Sequence, residues 1–174
     1  MKDIKVTPLS LEKDLPVISS WDSIYDKDPR YDSIKHFILE DNIYYNLAEV
    51  IELNYEKFPI GREERAYSFA IKQQENLLGF ILCCSIQILD DPELIIQYVV
   101  LNPDAQGKGI AKFAIDEILS NQEKYLKTKV NRVFAKIDRF NMPSRKMFSS
   151  IGFDLNYTNT NYLSASKELV NEKI

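Results

Sequence analysis

The chain has 174 residues, 45% hydrophobic and 28% charged, with a net charge of −4. That length suits one domain with a full hydrophobic core, and the acidic balance argues against nucleic acid as a partner. Its cysteines, Cys83 and Cys84, are adjacent, so on a strand they point to opposite faces; with a single histidine, His36, they exclude a disulfide framework and a Cys/His metal cluster.

The opening Met1–Ser10 lacks the apolar run of a secretory leader. The most apolar stretch, Leu77–Ile86, is broken by Gly79 and too short to span a bilayer. These features lead us to expect a cytoplasmic chain, one domain over residues 1–174, with no membrane association and no metal. Ile4–Thr7 reads as a first strand, and Ser10 caps a helix starting at Leu11. Ile34, Phe37, Ile38, Tyr45, Ala48 and Ile51 are spaced as a second helix, from Asp32 or Ser33 to Leu53. Glu64–Ile71 and Leu77–Leu89 are strand-like, joined by a polar turn over Lys72–Asn76. After a turn at Asp90–Pro92, the β-branched segment Glu93–Leu101 reads as a buried central strand.

Ala111, Ala114, Ile115, Ile118, Leu119 and Leu126 mark one face of a helix over Ala111–Leu126. A strand at Arg132–Ile137, a short helix at Ser144–Ser150 and a strand at Phe153–Tyr157 follow, then a turn at Asn159–Asn161 and a strand at Tyr162–Ser166. That order predicts a mixed α/β sheet with helices on its faces. Charge is uneven along it. Ser10–Ile60 holds 11 acidic against 5 basic residues, and Gln106–Ser150 holds 10 basic against 4 acidic. The split is either chance on solvated faces or a basic half for a polyanionic ligand beside an acidic half for a cationic one.

The most informative segment runs from Val99 to Ala111, where a strand stops at Asn102-Pro103, a glycine loop follows and a helix begins. The first turn of a helix has N–H groups without intrahelical partners, at the positive end of its dipole. An anion placed there satisfies several donors together. Gly107 and Gly109 keep side chains out of the way, and Lys108 adds positive charge; a plain turn and helix cap would produce the same string. A Walker loop requires Ser or Thr after Gly-Lys, where this chain has Gly109. The dinucleotide fingerprint requires a third glycine where Lys112 stands, so a Rossmann-type oxidoreductase is disfavoured.

Gln106-Gly107-Lys108-Gly109-Ile110-Ala111 resembles the Gln/Arg-x-x-Gly-x-Gly/Ala signature of the GNAT N-acetyltransferase superfamily. Thirty residues on, Asn141-Met142-Pro143-Ser144 through Phe148 to Gly152-Phe153 resembles that family's second block: an Asn, a small residue three on, an aromatic seven on, then Gly-Phe. The resemblance covers roughly Glu64–Leu169. It implies an α/β (α+β) fold with a mostly antiparallel central sheet, splayed strands and about four flanking helices.

It also implies an acetyl-CoA-dependent N-acetyltransferase that passes an acetyl group directly to an amine of a small molecule, peptide or protein, working as a monomer or homodimer. Acetyl-CoA is then the acyl donor. Val99, Val100 and Leu101 would hold the pantetheine, with the Val99 N–H polarising the thioester carbonyl. Gln106, Gly107, Lys108, Gly109, Ile110 and Ala111 would take the diphosphate, and Asn141, Ser144 and Phe148 would flank the cofactor. Asn141 reads equally as a helix cap. On this resemblance Gly109→Glu should abolish cofactor binding and leave the fold intact.

The chain departs from the family at two points. Members that use a tyrosine acid carry it where Phe148 stands, and a strand glutamate near the acceptor is Gln97 here. Glu93 and Tyr98 are then the first candidates for proton transfer, with Asp138 and Tyr162 behind them. The two departures also motivate an alternative, a non-catalytic acyl-CoA sensor on the same fold. An acceptor slot should be walled by Trp21–Phe58, with Trp21, Tyr25, Tyr31, Phe37, Tyr44, Tyr45 and Tyr55, beside Asp22, Asp26, Asp28 or Asp32.

Overall fold

The computed structural model describes residues 3–27, 65–88, 91–158 and 161–169. Strand β1 (Ile4–Pro8) leads into α1 (Leu11–Lys27). Ser10 Oγ accepts from the Lys13 amide at 3.3 Å, and the Ser10 amide donates back to Asp14 Oδ2 at 2.8 Å, so the first turn is capped in both directions. The second helix expected from Asp32 or Ser33 to Leu53 lies outside the described residues, as does most of the expected acceptor wall.

Strands β2 (Arg65–Gln73) and β3 (Asn76–Ile88) form a hairpin with only Gln74 and Glu75 at its tip. The expected five-residue turn is therefore corrected: Lys72, Gln73 and Asn76 keep their ladder pairing, Gln73 and Asn76 at the exposed end of the hairpin and Lys72 half-buried against Asp14. Strand β4 (Asp91–Leu101) starts two residues earlier than expected, since Asp91 and Pro92 pair with Ile88 and Gln87.

A 3-10 turn at Pro103–Ala105 precedes α2 (Ile110–Ser120) and α3 (Gln122–Tyr125). The single expected helix is broken at Asn121, whose backbone leaves helical geometry at φ −125° and ψ 47°. Tyr125 and Leu126 still reach the same core, which is why the apolar spacing reads straight through the break. Strand β5 (Arg132–Asp138), α4 (Met142–Ser150), β6 (Asp154–Tyr157) and β7 (Tyr162–Glu168) complete the order.

Among the described residues seven strands lie in the order β1-β2-β3-β4-β5-β7-β6. Every neighbouring pair is antiparallel except β4–β5. Both faces are covered. On one, Leu15, Ile18 and Trp21 of α1 pack on Ala70, Leu77, Phe80 and Leu82. On the other, Ile110, Ala114, Ile115 and Ile118 of α2 and Phe148 of α4 pack on Phe69, Ile71, Ile81, Leu94 and Ile96. Lys72 Nζ meets the buried Asp14 carboxylate at 2.7 Å and ties α1 to β2. Gly79 lets β3 and β4 close up: a Cβ there would lie 2.4 Å from the Val100 carbonyl oxygen. Among the described residues no helix is long and apolar enough to cross a membrane.

Candidate functional site

The site begins with an irregularity in β4. Leu82 pairs with Tyr98 but Cys83 pairs with Ile96, so Gln97 is an extra residue without a partner on β3. Side chains alternate along a strand, yet Leu94 and Ile96 face the same core as Val99 and Leu101. Only an inserted residue reconciles the two. Such a bulge bends its strand, and the consequence is visible on the other side. Parallel pairing of β4 with β5 covers Glu93–Ile96 against Arg132–Ala135 and stops there. Beyond it, Gln97–Leu101 and Lys136–Asp138 form the two arms of a fork.

Backbone direction on the β4 arm follows from one bond. The Asn102 amide donates to the Leu78 carbonyl at 2.8 Å, so Asn102 faces β3. By alternation Val100 and Tyr98 face β3 too, while Val99 and Leu101 turn their N–H and C=O groups into the fork. The Leu101 carbonyl already accepts from Gln106 Nε2 at 3.3 Å, a tie between strand end and loop that nothing in the spacing announced. The side chains of Tyr98 and Val100 pack against the α1-side core.

At the mouth of the fork stands the glycine loop. Gly107 and Gly109 both take positive φ, 71° and 74°, and Gly109 is the N-cap of α2 with no side chain capping the helix. The first intrahelical acceptor is the Gly109 carbonyl, which takes the Phe113 amide at 3.0 Å. Among the described residues no partner is recorded for the six amides from Gly107 to Lys112. Six consecutive bare donors at the positive end of an 11-residue helix make an anion cradle. A Cβ on Gly107 would meet nothing within 4 Å, so space does not demand glycine there; backbone conformation does. Gly109→Glu would also carry backbone strain for the same reason, because an L residue at positive φ costs about 1–2 kcal/mol. Lys108 folds back, its Nζ 2.6 Å from the Asp104 carbonyl oxygen, and Ile110 is buried while Ala111 is half-buried.

Across the fork, Asn141 caps α4, its Oδ1 accepting from the half-buried Ser144 amide at 3.1 Å, so the helix-cap reading holds. Phe148 is 4% exposed and meets Phe153 edge-to-face at 5.0 Å. The proton-transfer candidates are scattered. Glu93 is buried in the closed part of the β4–β5 pair with Oε1 3.2 Å from Arg132, about 13 Å along the strand from Gln97. Asp138 accepts from the Phe140 amide at 2.7 Å, and Lys136 Nζ lies 4.0 Å from the centre of the Tyr162 ring.

Trp21 is 2% exposed and belongs to the α1-side core. Tyr31, Phe37, Tyr44, Tyr45, Tyr55, Asp28 and Asp32 lie outside the described residues, and so do the side chains of Asp22, Tyr25 and Asp26. A cleft of about 560 Å³ opens between α1, the β2–β3 hairpin and the loop Asn102–Ile110. Lys72 and Lys108 in its wall are engaged by Asp14 and the Asp104 carbonyl, so the fork, with its bare donors, is the stronger site.

Comparison with known proteins points the same way. The model of the acetyltransferase (GNAT) family matches residues 21–153. No curated protein matches the sequence significantly. An acetyltransferase from Thermus thermophilus shares the fold with a TM-score of 0.68 at 15% identity, over 95% of this chain and 97% of that one. A spermidine N-acetyltransferase from Vibrio cholerae, solved with CoA and spermine, gives 0.64 at 18% identity, over 97% and 96%. The ribosomal-protein-S18-alanine N-acetyltransferase of Escherichia coli gives 0.60 at 14% identity, over 98% of each chain.

Proposed function

The chain belongs to the GNAT acetyltransferase family and is an acyltransferase on that ground; from this premise we propose that it moves an acetyl group from acetyl-CoA directly to an amine of a small molecule, peptide or protein. The observation that supports this most is the run of six bare amides, Gly107–Lys112, at the mouth of a fork whose β4 arm turns the backbone of Val99 inward. A doubly charged diphosphate fits the amides and a pantetheine arm fits the fork, lying as a short extra strand between β4 and β5.

In this reading the thioester carbonyl lies beside the Val99 N–H, which stabilises the oxyanion as it forms. The acceptor nitrogen attacks the carbonyl carbon, the C–N bond forms, the C–S bond breaks, and CoA leaves as the thiolate. The acceptor must shed a proton before or during attack, and with no base assigned that proton passes to water. Glu93, held by Arg132 in the closed end of the sheet, is given no part in that step. In the same reading Val99, Asn141 and Ser144 line the cofactor's path, and Tyr98, whose side chain packs against the α1-side core, stays an untested proton-transfer candidate. Among the similar structures, one named acceptor is a polyamine and another a protein alanine, so the acceptor class is open between small and macromolecular amines.

The test is release of CoA thiol from acetyl-CoA across a panel of polyamines, amino acids and peptide α-amines. Acceptor-dependent thiol release supports the proposal. Tight CoA binding with no release from any amine favours the sensor reading, which draws on Phe148 and Gln97. No CoA binding at all overturns both.

A further inference from the structure

The turn after β5 carries a feature the proposed reaction does not use. Phe140 is 68% exposed, far from the 4% of Phe148 and Phe153. Its position is pinned. The Phe140 amide donates to Asp138 Oδ1 at 2.7 Å, the Arg139 amide to the Asn161 carbonyl at 2.9 Å, and Arg145 Nη1 to the Arg139 carbonyl at 2.9 Å. The Arg139 guanidinium lies 4.5 Å from the ring centre, so one face of the ring is covered and the rest meets solvent.

Register places this ring relative to the cradle. β4 and β5 run parallel and last pair at Ile96 and Ala135. Five residues further, one chain has reached Leu101 and the other Phe140, so the turn that carries this ring follows the β5 arm at the open end of the fork. The turn and first helical turn here carry Arg139, Arg145 and Lys146 against the single acid Asp138. A rigidly held, exposed aromatic beside a cationic cluster suits a base with an attached phosphate.

We propose that Phe140, backed by Arg139, is the platform on which the adenine of CoA stacks, with the 3′-phosphate lying against the adjoining cationic residues. The inference rests on the reading that CoA occupies the fork. A diphosphate held at the mouth by Gly107–Lys112 directs the pantetheine inward, so the adenosine leaves on the outside, where the ring stands.

The experiment compares two ligands: acetyl-CoA, and acetyl-4′-phosphopantetheine, which keeps one phosphate of the diphosphate and lacks the 3′-phosphoadenylyl group. Dissociation constants are measured for the wild type, Phe140→Ala and Phe140→Trp, with melting temperature as the check on folding. Phe140→Ala should weaken acetyl-CoA roughly 5- to 100-fold, the range for loss of one base–aromatic stack, and leave the fragment unchanged. Phe140→Trp should hold acetyl-CoA at least as tightly as the wild type. An unchanged acetyl-CoA affinity in folded Phe140→Ala overturns the platform and leaves the acetyltransferase reading standing. Equal weakening of acetyl-CoA and fragment also overturns it, since the ring would then be shaping the turn. So does a shift in oligomeric state with acetyl-CoA affinity intact, which would make Phe140 a contact between copies. Failure of wild type to bind either ligand sinks the CoA reading itself.

Discussion

The cradle can be tested by putting charge into it without disturbing the loop. Ala111 is the second residue of α2, half-buried, and its amide is one of the six bare donors. Replacing either glycine confounds binding with backbone strain, because both sit at positive φ. Ala111→Glu avoids that. A carboxylate in the first turn of a helix gains about 0.3–1 kcal/mol from the dipole. The lower helix propensity of Glu takes back a few tenths. Folding stability should therefore be unchanged within about 1 kcal/mol. Cofactor binding should not survive so well. A carboxylate about 6 Å from a doubly charged diphosphate, at an effective dielectric of about 40, is repelled by about 3 kcal/mol, a roughly 100-fold loss of affinity. The assay is calorimetric titration with CoA at low and high salt, since screening should shrink the loss at high salt. Ala111→Lys is the control of opposite sign and should bind CoA at least as well as the wild type. A folded Ala111→Glu that binds CoA normally would refute the cradle. Equal losses from Glu and Lys would refute the electrostatic part of the reasoning.

Three further outcomes follow from the sheet. Burial, with a smaller contribution from neighbouring Cys84, pushes the Cys83 thiol well above its ordinary range. Its raised folded pKa means that stability is fully present below about pH 8.5 and is lost at about 1.4 kcal/mol per pH unit above it. Urea unfolding at pH 7, 9 and 10 should show that slope in the wild type and a shallower one in Cys83→Ala; parallel slopes would count against it. Gly79→Ala forces a Cβ to within 2.4 Å of the Val100 carbonyl oxygen and should lower stability by about 3 kcal/mol, read as an earlier urea midpoint. Asp14→Ala strands the Lys72 ammonium, whose side chain is only 16% exposed, and should cost about 2–4 kcal/mol. Adding Lys72→Met should recover part of that; no recovery would mean that the Ser10 cap, and not the ion pair, was lost.

What could be read from the chain in advance was what depends on a few consecutive residues. The cradle is such a feature. The end of a strand at Asn102-Pro103, two glycines at positive φ and a helix start all lie within nine residues, and each is a demand on local backbone. The order of strands and helices was legible from period for the same reason. The boundaries that moved were places where side-chain polarity and backbone pairing disagree. Lys72, Gln73 and Asn76 look like a loop but sit in the ladder, Lys72 half-buried against Asp14. Leu126 looks like the continuation of α2 but reaches the core from beyond a break at Asn121.

The fork belongs to another class. It exists because Gln97 is an extra residue against β3, and a bulge is a relation between two strands that a single stretch of sequence does not mark. Only the family resemblance foreshadowed it. Glu93 shows the same limit from the side of charge. Its place on the central strand makes it look available for proton transfer, yet Arg132, 39 residues later, comes within 3.2 Å and holds its carboxylate in an ion pair. Both cases have one physical root. Parallel pairing of β4 with β5 holds for only four residues, and those four decide two things at once. They bring Arg132 beside Glu93 at the closed end, and by ending at Ile96 they leave the backbone of Val99 and Leu101 facing into the fork. The charge pair at one end and the open arms at the other are the same register, so a change that lengthened the pairing past Ile96 would close the slot while leaving Glu93 where it is.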